Sequence, residues 1–418
     1  FFESVDDLKD TDRILVAKKL TDEEGLALEK WVRAGGRALM FEIPEGGWSP
    51  YEVEYRRGQT RVWRRAAEAF RGIPEEALRD WAPDGYLGRS GVPKMSENAT
   101  FLLDAGRKEG LSAAIIFRLY RGKGSYLGCQ MPVLDRLETE PCAPAFLREL
   151  YAEFMRDVKC PGGTVAIHDG CTPSTNRVVR TLFSDFAFPV ANDTGKADQL
   201  LVVDCSHGID AKALSAVNKA LGAGRTVWML EVPADAPYAA LASFGLALAQ
   251  PPTRQTPVPW RPSEICDVDD GVRWVVRSKE HPGLLTGLSN DDLFWWKAGA
   301  MWGLFRNYDL GRLPMRWANG GEWKNRNTMS AATAIIEPIP GASIKPVVCT
   351  VPSAWVELDI GGGHLVVSTL RFSANRASSR ARVERTLRTA LLNAGVRTAN
   401  ESKIHRYRTL DISKSLNR

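Results

Sequence analysis

The sequence is short of the residues that build metal sites and disulfide frameworks. Its seven cysteines, Cys129, Cys142, Cys160, Cys171, Cys205, Cys266 and Cys349, form no C-x-x-C pair and no regular spacing. That pattern argues against a zinc site and against a disulfide scaffold. Most read as buried thiols, and Cys160 and Cys171 are the pair that an oxidising compartment could join. No run of eighteen apolar residues occurs, so no segment reads as a membrane-spanning helix. There is no G-x-G-x-x-G and no Walker pattern, which removes the usual nucleotide signatures, and no cofactor is expected. An excess of charge is missing too: the net is +5 over 418 residues. The densest basic run, Arg56 to Arg65 around Trp63, is flanked by Glu52, Glu54 and Glu68. It reads as a solvated helix face rather than a nucleic-acid patch, and no nucleic-acid partner is expected.

What the chain does have is self-similarity, in three blocks that recur in the same order. The first pairs Ile14–Lys18 with Leu200–Asp204, each a β-branched apolar run that reads as a buried parallel strand. A helix follows each run. Thr21 and Glu24 form a capping box ahead of a stripe of Leu28, Trp31 and Val32, while Asp210 caps a stripe of Leu214, Val217 and Leu221. Both helices stop at glycine-rich caps, Ala34-Gly35-Gly36-Arg37 and Gly222-Ala223-Gly224-Arg225. A second apolar strand then ends in Glu42-Ile43-Pro44 or Glu231-Val232-Pro233.

The second block sets residues 70–81 against 285–296, sharing a glycine–aliphatic pair, then an acidic residue, leucine and tryptophan. The third is a glycine hairpin, around Gly122-Lys123-Gly124 in one copy and Gly361-Gly362-Gly363 in the other. Gly122, Gly124, Gly361 and Gly363 read as turn residues that need positive φ. An amphipathic helix closes each copy, with Phe146, Leu150 and Phe154 in one and Val383, Leu387 and Leu391 in the other.

These blocks predict two tandem doubly wound, mostly parallel α/β sheets of flavodoxin type, each with an antiparallel edge hairpin. The first domain spans 1–158, the second 159–397 with an aromatic-rich insertion, and 398–418 is a tail or the start of a further domain. The second copy carries a leading strand and helix, Thr164–His168 and Ser174–Phe183, that the first copy lacks. With its opening in apolar residues at Phe1, the chain is expected to be cut from a longer polypeptide.

Three segments carry a family resemblance: LEKWVRAGGRALMFE (28–42), HPGLLTGLSNDDLFWW (281–296) and RGKGSYLGCQMPVLDRLETEP (121–141), the last with its counterpart GGGHLVVSTLRFS (361–373). They resemble the class I glutamine-amidotransferase-like domains appended to glycoside hydrolases, as in the β-galactosidase trimerisation domain and family 2-like glycosidases. The resemblance implies a non-catalytic accessory or assembly region whose partner is a catalytic domain of the same polypeptide. It also implies a glycosidase as the parent enzyme, acting on a β-galactoside-like bond. A carbohydrate and a second copy of the chain remain candidate partners. Amidotransferases hold a cysteine nucleophile on a strained strand-to-helix turn. No G-x-C-x-G occurs here, and the comparable strand ends carry Glu42 and Glu231.

The residues themselves offer other chemistry. Cys205 and His207 follow a strand end, where open α/β sheets bind ligands, and a Cys–His pair can be nucleophilic. Residues two apart on a turn seldom face one another, so a ligand-lining loop is favoured, with Asp204 beside it. His168, Asp169 and Cys171 lie between a strand and a helix where an anion could sit, but a satisfied β–α loop is favoured. Glu42 and Glu231 could be paired carboxylates, yet they fall in different copies and read as structural. Trp295, Trp296, Trp302, Trp317 and Trp323 crowd one stretch; they read first as core or interface, and second as a sugar-stacking platform in a carbohydrate-binding module. No catalytic residue and no metal ligand is assigned.

Overall fold

The capping box expected at Thr21 forms: the Glu24 amide donates to Thr21 Oγ1 at 3.2 Å, and the Thr21 amide donates to Glu24 Oε2 at 2.8 Å. The computed structural model describes residues 12–43, 47–51, 53–55, 61–64, 70, 72–74, 77, 81, 88, 90–93, 98–107, 110–171, 178–236, 241–249, 254–258, 261–268, 276–278, 280–288, 293, 332–349, 353–372, 377–399 and 405–406. Two units emerge, Phe1–Pro161 with Arg397–Arg418, and Gly162–Val396. Each is a mixed α/β unit built on one large sheet.

Unit 1 runs β1 (Arg13–Val16), α1 (Asp22–Ala34), β2 (Arg37–Met40), β3 (Trp48–Ser49), β4 (Glu54–Tyr55), β5 (Arg61–Arg64), β6 (Ser90–Pro93), β7 (Ala99–Arg107), β8 (Gly110–Arg121), β9 (Gly124–Cys129) and α2 (Ala143–Met155). The sheet order is β1-β2-β9-β8-β6-β4, with β7 also on β8 and β5 on β7. β1, β2 and β9 are mutually parallel, and β9 turns back antiparallel to β8. Side chains alternate across β2 as a strand requires. Ala38 and Met40 pack with Leu28 and Val32 of α1, whereas Leu39 packs with Phe146 and Leu150 of α2.

Unit 2 runs β10 (Val165–Asp169), α3 (Val178–Asp185), β11 (Leu200–Asp204), α4 (Ala211–Gly222), β12 (Thr226–Leu230), β13 (Leu246–Ala249), β14 (Arg254–Val258), β15 (Arg261–Val268), β16 (Val276–Arg277), β17 (Ile335–Pro338), β18 (Lys345–Cys349), β19 (Ser353–Ile360), β20 (Gly363–Ser368) and α5 (Ala377–Asn393). Its main sheet is ordered β10-β11-β12-β20-β19-β17-β13, with β18 also on β19 and β16 on β18; β14 and β15 pair separately. β10, β11, β12 and β20 are parallel neighbours, and β19 is antiparallel to β20. Val227 and Met229 meet Val217 and Leu221 of α4, while Trp228 and Leu230 meet Phe183 of α3 and Leu387 of α5. A short strand β21 (His405–Arg406) pairs with β3 in unit 1.

Within each sheet most strands point one way. In unit 2, β17 and β18 are antiparallel to β19 and so share the direction of β10, β11, β12 and β20. The antiparallel part exceeds the single edge hairpin expected, because β8 and β19 each serve as a base on which further strands pair. The basic run also departs from expectation. Arg61–Arg64 is strand β5, in register with Leu103–Gly106 of β7, rather than a helix face.

The orders β1-β2-β9-β8 and β11-β12-β20-β19 have the same sense of pairing throughout. Hydrogen bonds fix which residues match. Gly35 donates to Val32 O and Gly224 to Leu221 O, both at 2.9 Å; Gly36 then donates to Trp31 O and Arg225 to Ala220 O. The caps therefore match Gly35 with Gly224, one residue away from the match read off the sequence. The strands follow: Ile14 lies beside Ala38 as Leu201 lies beside Val227. Thus Leu15 matches Val202, and Glu42 still matches Glu231. Beside β1, no described strand stands where β10 stands beside β11.

The hairpin glycines divide by cause. Gly122 and Gly361 have φ of +54° and +60°, as turn residues should. Gly124 and Gly363 are required by close approach instead: a Cβ on Gly124 would meet Gly36 O at 2.1 Å and Val32 O at 2.2 Å, and one on Gly363 would meet Leu221 O and Arg225 O at 2.7 Å. Gly124→Ala and Gly363→Ala should each lower stability by about 1–3 kcal/mol, measured as the urea midpoint of the unit concerned. A loss from Gly363→Ala no larger than that from Gly222→Ala, where a Cβ would meet nothing within 4 Å, would contradict the close-approach account.

Candidate functional site

The parallel strands of unit 2 end side by side, and their loops assemble several residues singled out in the sequence. β10 ends in His168 and Asp169, β11 in Asp204 followed by Cys205, Ser206 and His207, and β12 runs into Glu231. The first two loops are stitched together by backbone. Gly170 donates to Asp204 O at 2.7 Å, and Asp210 donates to Gly170 O at 2.8 Å. Gly170 has to be glycine, since a Cβ there would meet Asp204 O at 2.3 Å and Gly208 O at 2.6 Å. The sequence pattern treated the two loops separately; the sheet joins them.

Most polar groups in this cluster are already engaged. Asp204 is buried, and its Oδ2 accepts the Val179 amide of α3 at 2.8 Å while Oδ1 accepts the Ser206 amide and hydroxyl. A carboxylate against the first turn of a helix satisfies orphan donors and complements the helix dipole. Asp169 accepts from Arg180 Nε at 3.3 Å, and Arg180 also donates to Ile167 O. Cys171 is half-buried and donates to His207 O at 3.1 Å. His168 is half-buried, and its Nδ1 is buried without a hydrogen-bond partner among the described residues.

The Cys205–His207 pair does not form. Cys205 is fully buried, and its Sγ turns back to Val203 O at 3.5 Å. His207 is exposed on the turn. Burial, and then the neighbouring Asp204 carboxylate, push the Cys205 thiol well above its ordinary value, the opposite of what a nucleophile needs.

Glu231 is the residue under backbone strain. It is buried, with φ +56°, a left-handed conformation that costs a side-chain-bearing residue about 1–3 kcal/mol. Such outliers often cluster at functional turns, and this one lies just past the end of parallel strand β12. Among the described non-glycine residues only Phe70, Ala187 and Glu231 have positive φ; Glu42, at the matching position of unit 1, does not share it. Glu42 lies near Cys129, whose thiol is pushed up to about 12, first by burial. Beside it Gln130, also buried, accepts from Ser90 Oγ at 2.8 Å and donates to the Tyr51 hydroxyl at 2.9 Å. Burial pushes the Tyr51 phenol up as well. Ser90, Gln130 and Tyr51 were not anticipated, because only the strand pairing brings them to one place.

A third cluster escaped the sequence reading. His364 Nδ1 lies 2.8 Å from Asp359 Oδ1 and its Nε2 lies 3.1 Å from Glu357 Oε2. Glu357 is buried, and its Oε1 accepts from Trp355 Nε1 at 3.0 Å and from the Leu284 amide at 2.9 Å. His364 and Glu357 are seven apart, on facing strands of one hairpin, so no linear motif marks them.

Among the described residues no group of three His, Cys, Asp or Glu is placed to hold a metal ion, and no helix is long and apolar enough to cross a membrane. Trp295, Trp296, Trp302, Trp317 and Trp323 lie outside the described residues.

No protein-family model matches the chain, and no curated protein matches it. Among the solved structures with weak likeness to it are these three. An exo-beta-1,4-mannosidase from Opitutaceae bacterium strain TAV5 is 10% identical over 62% of this chain and 40% of that one, with a TM-score of 0.29. A beta-galactosidase from Bacillus circulans sp. alkalophilus is 10% identical over 68% of this chain and 40% of that one, at 0.31. A cytoplasmic protein from Salmonella typhimurium is 14% identical over 38% of this chain and 77% of that one, at 0.22. The chain thus spans two fifths of each glycosidase, and scores this low transfer neither fold nor activity.

Two measurements check this account. Cys205 should resist alkylation of the native chain near pH 8 and react only after unfolding, as read by mass spectrometry; native labelling faster than that of half-buried Cys171 would contradict it. The His364 cluster should be pH-sensitive. Its ring is held above the ordinary value, first by the bond to Glu357, while His364 holds the Asp359 carboxyl low. A raised histidine contributes stability that is complete below about 6.5 and is lost as pH rises through its folded value. A depressed carboxylate contributes above about 3.9, losing it as pH falls through its folded value. Unit 2 should therefore lose denaturant resistance above neutral pH, and His364→Ala should flatten that slope.

Proposed function

We propose that the chain is a non-catalytic accessory and assembly region of a carbohydrate-active enzyme, built from two tandem amidotransferase-like domains of flavodoxin type. On this reading the domains are 1–158 and 159–397, residues 398–418 lead out of them, and the partner is a catalytic domain of the same polypeptide. That partner would be a β-galactosidase-like glycoside hydrolase. The assignment to carbohydrate chemistry comes from the sequence resemblance.

The observation that carries the reading is the turn at Glu231. Its position at a parallel strand end and its φ of +56° are those of an elbow that presents a nucleophile, and the residue presented is a buried glutamate. An amidotransferase needs an activated thiol at that place. The nearest cysteine on the adjoining loop, Cys205, is buried with its thiol pushed up. A glycosidase needs two carboxyl groups about 5–10 Å apart, whereas Glu42 and Glu231 belong to separate sheets. A scaffold that keeps the fold without the nucleophile accounts for all of this.

The test is to assay the purified chain with glutamine and with aryl β-galactosides, beside Glu231→Gln and Cys205→Ala. No turnover above background is expected from any of them. Turnover that either substitution abolishes would overturn the proposal and make that residue the catalyst.

A further inference from the structure

In unit 2 the sheet face under β11 is roofed. Val202 shares one buried cluster with Val179, Leu182 and Phe183 of α3 and with Val383 and Leu387 of α5. Ala187, at φ +52°, follows α3 and turns the chain back so that Phe188 meets Phe183 edge-on at 5.3 Å between centroids. Arg388 of α5 lies 5.0 Å over the same Phe188 ring. The side of β11 is closed as well, since β10 pairs with it in parallel from Val165 beside Leu200 to Asp169 beside Asp204. One strand–helix segment therefore supplies both the lateral hydrogen bonds and the apolar roof.

In unit 1 no described residue fills the corresponding place. β1 is the last strand in its order and pairs, among the described residues, only with β2. Leu15, which matches Val202, is 56% exposed. It stands beside Leu39, which is buried under α2. On α2, Glu153 reaches Arg118 of β8, so the opposite flank of the helix, carrying Leu147 and Tyr151, lies on the β1 side. Tyr151 is 48% exposed, and Met155, one turn on, 41%. Arg13 and Arg37 both bind Asp157, two residues past the end of α2, which draws that end over the starts of β1 and β2. Exposed apolar side chains from two elements thus adjoin an edge that no described strand pairs with, a combination that marks an interaction surface.

We infer that β1, Leu15 and the Tyr151 flank of α2 form a docking surface for one strand–helix segment lying outside unit 1. The segment adds a β-branched apolar strand parallel to β1, and its helix lays an aliphatic and aromatic stripe over Leu15. The chemistry required is that of Thr164–Phe188, which fills the matching place in unit 2. A second copy of the chain is a poorer occupant, because edge-to-edge pairing of two β1 strands brings no helix to cover Leu15 and Tyr151. This inference rests on the packing of unit 1 and stands apart from the accessory role.

The probe is a synthetic peptide of residues 161–190 with Cys171→Ser, added to the full chain and read by amide hydrogen exchange. Protection is expected at Arg13–Val16 and along Tyr151–Met155. Leu15→Asp and Tyr151→Ser, both at exposed side chains, should each weaken binding about tenfold or more, while Leu26→Asp, at a leucine 54% exposed on α1, should not. No protection of β1 at millimolar peptide, or equal loss from Leu26→Asp, overturns the inference. Concentration-dependent dimerisation abolished by Leu15→Asp overturns it too, by giving the surface to a second copy.

Discussion

Each unit depends on one strand that faces two ways. β9 and β20 are hydrogen-bonded in parallel to β2 and β12 on one side, and antiparallel to β8 and β19 on the other. The hairpin that begins each of them is pressed against the end of the preceding helix. Lys123 donates to Arg33 O and Ser125 to Gly36 O, as His364 donates to Arg225 O. In unit 1 the Arg33 carbonyl, which the end of α1 leaves without a helical partner, is thereby satisfied by the hairpin, while the other two bonds join strand starts in parallel. Only a residue without Cβ can come so near, which is why Gly124 and Gly363 stand there. Helix, parallel half and antiparallel half are held in register by this one contact.

That arrangement also governs what the strand ends can do. With helices over both faces, polar side chains at the ends of β10 and β11 are drawn into structural bonds. Asp204 anchors the start of α3, Asp169 holds Arg180, and Cys205 sinks into the core. Glu231 alone among these strand ends carries backbone strain, and its side chain is buried. In unit 1 the matching end is filled by the Ser90–Gln130–Tyr51 chain of hydrogen bonds. Buried polar groups partnered in this way add rigidity rather than reactivity.

The two units differ most at one edge. Val202 is roofed by α3 and flanked by β10, whereas Leu15 is exposed at the matching position. Hydrophobic burial of a single leucine is a modest term, but here it coincides with an exposed tyrosine and a strand edge that no described strand pairs with. Among the described residues, one sheet is thus covered on that side and the other is not.

The sequence by itself determined the local elements and their order. The Thr21–Glu24 box, the stripe of Leu28 and Val32, the Asp210 cap and the β-branched run at Leu200–Asp204 are patterns of period and capping, read over a few residues. It also placed Glu42 and Glu231 at matching strand ends. Tertiary structure decided what depends on residues distant along the chain. It shifted the caps and first strands by one residue, because hydrogen-bond register outweighs similarity of letters. It made Arg61–Arg64 a strand through pairing with β7, overriding the helical reading of a charged run. It joined the His168 and Cys205 loops, buried the Cys205 thiol away from His207, and built the Glu357–His364–Asp359 cluster across a hairpin. Proximity of that kind has no linear signature, since strands adjacent in a sheet can lie anywhere in the chain.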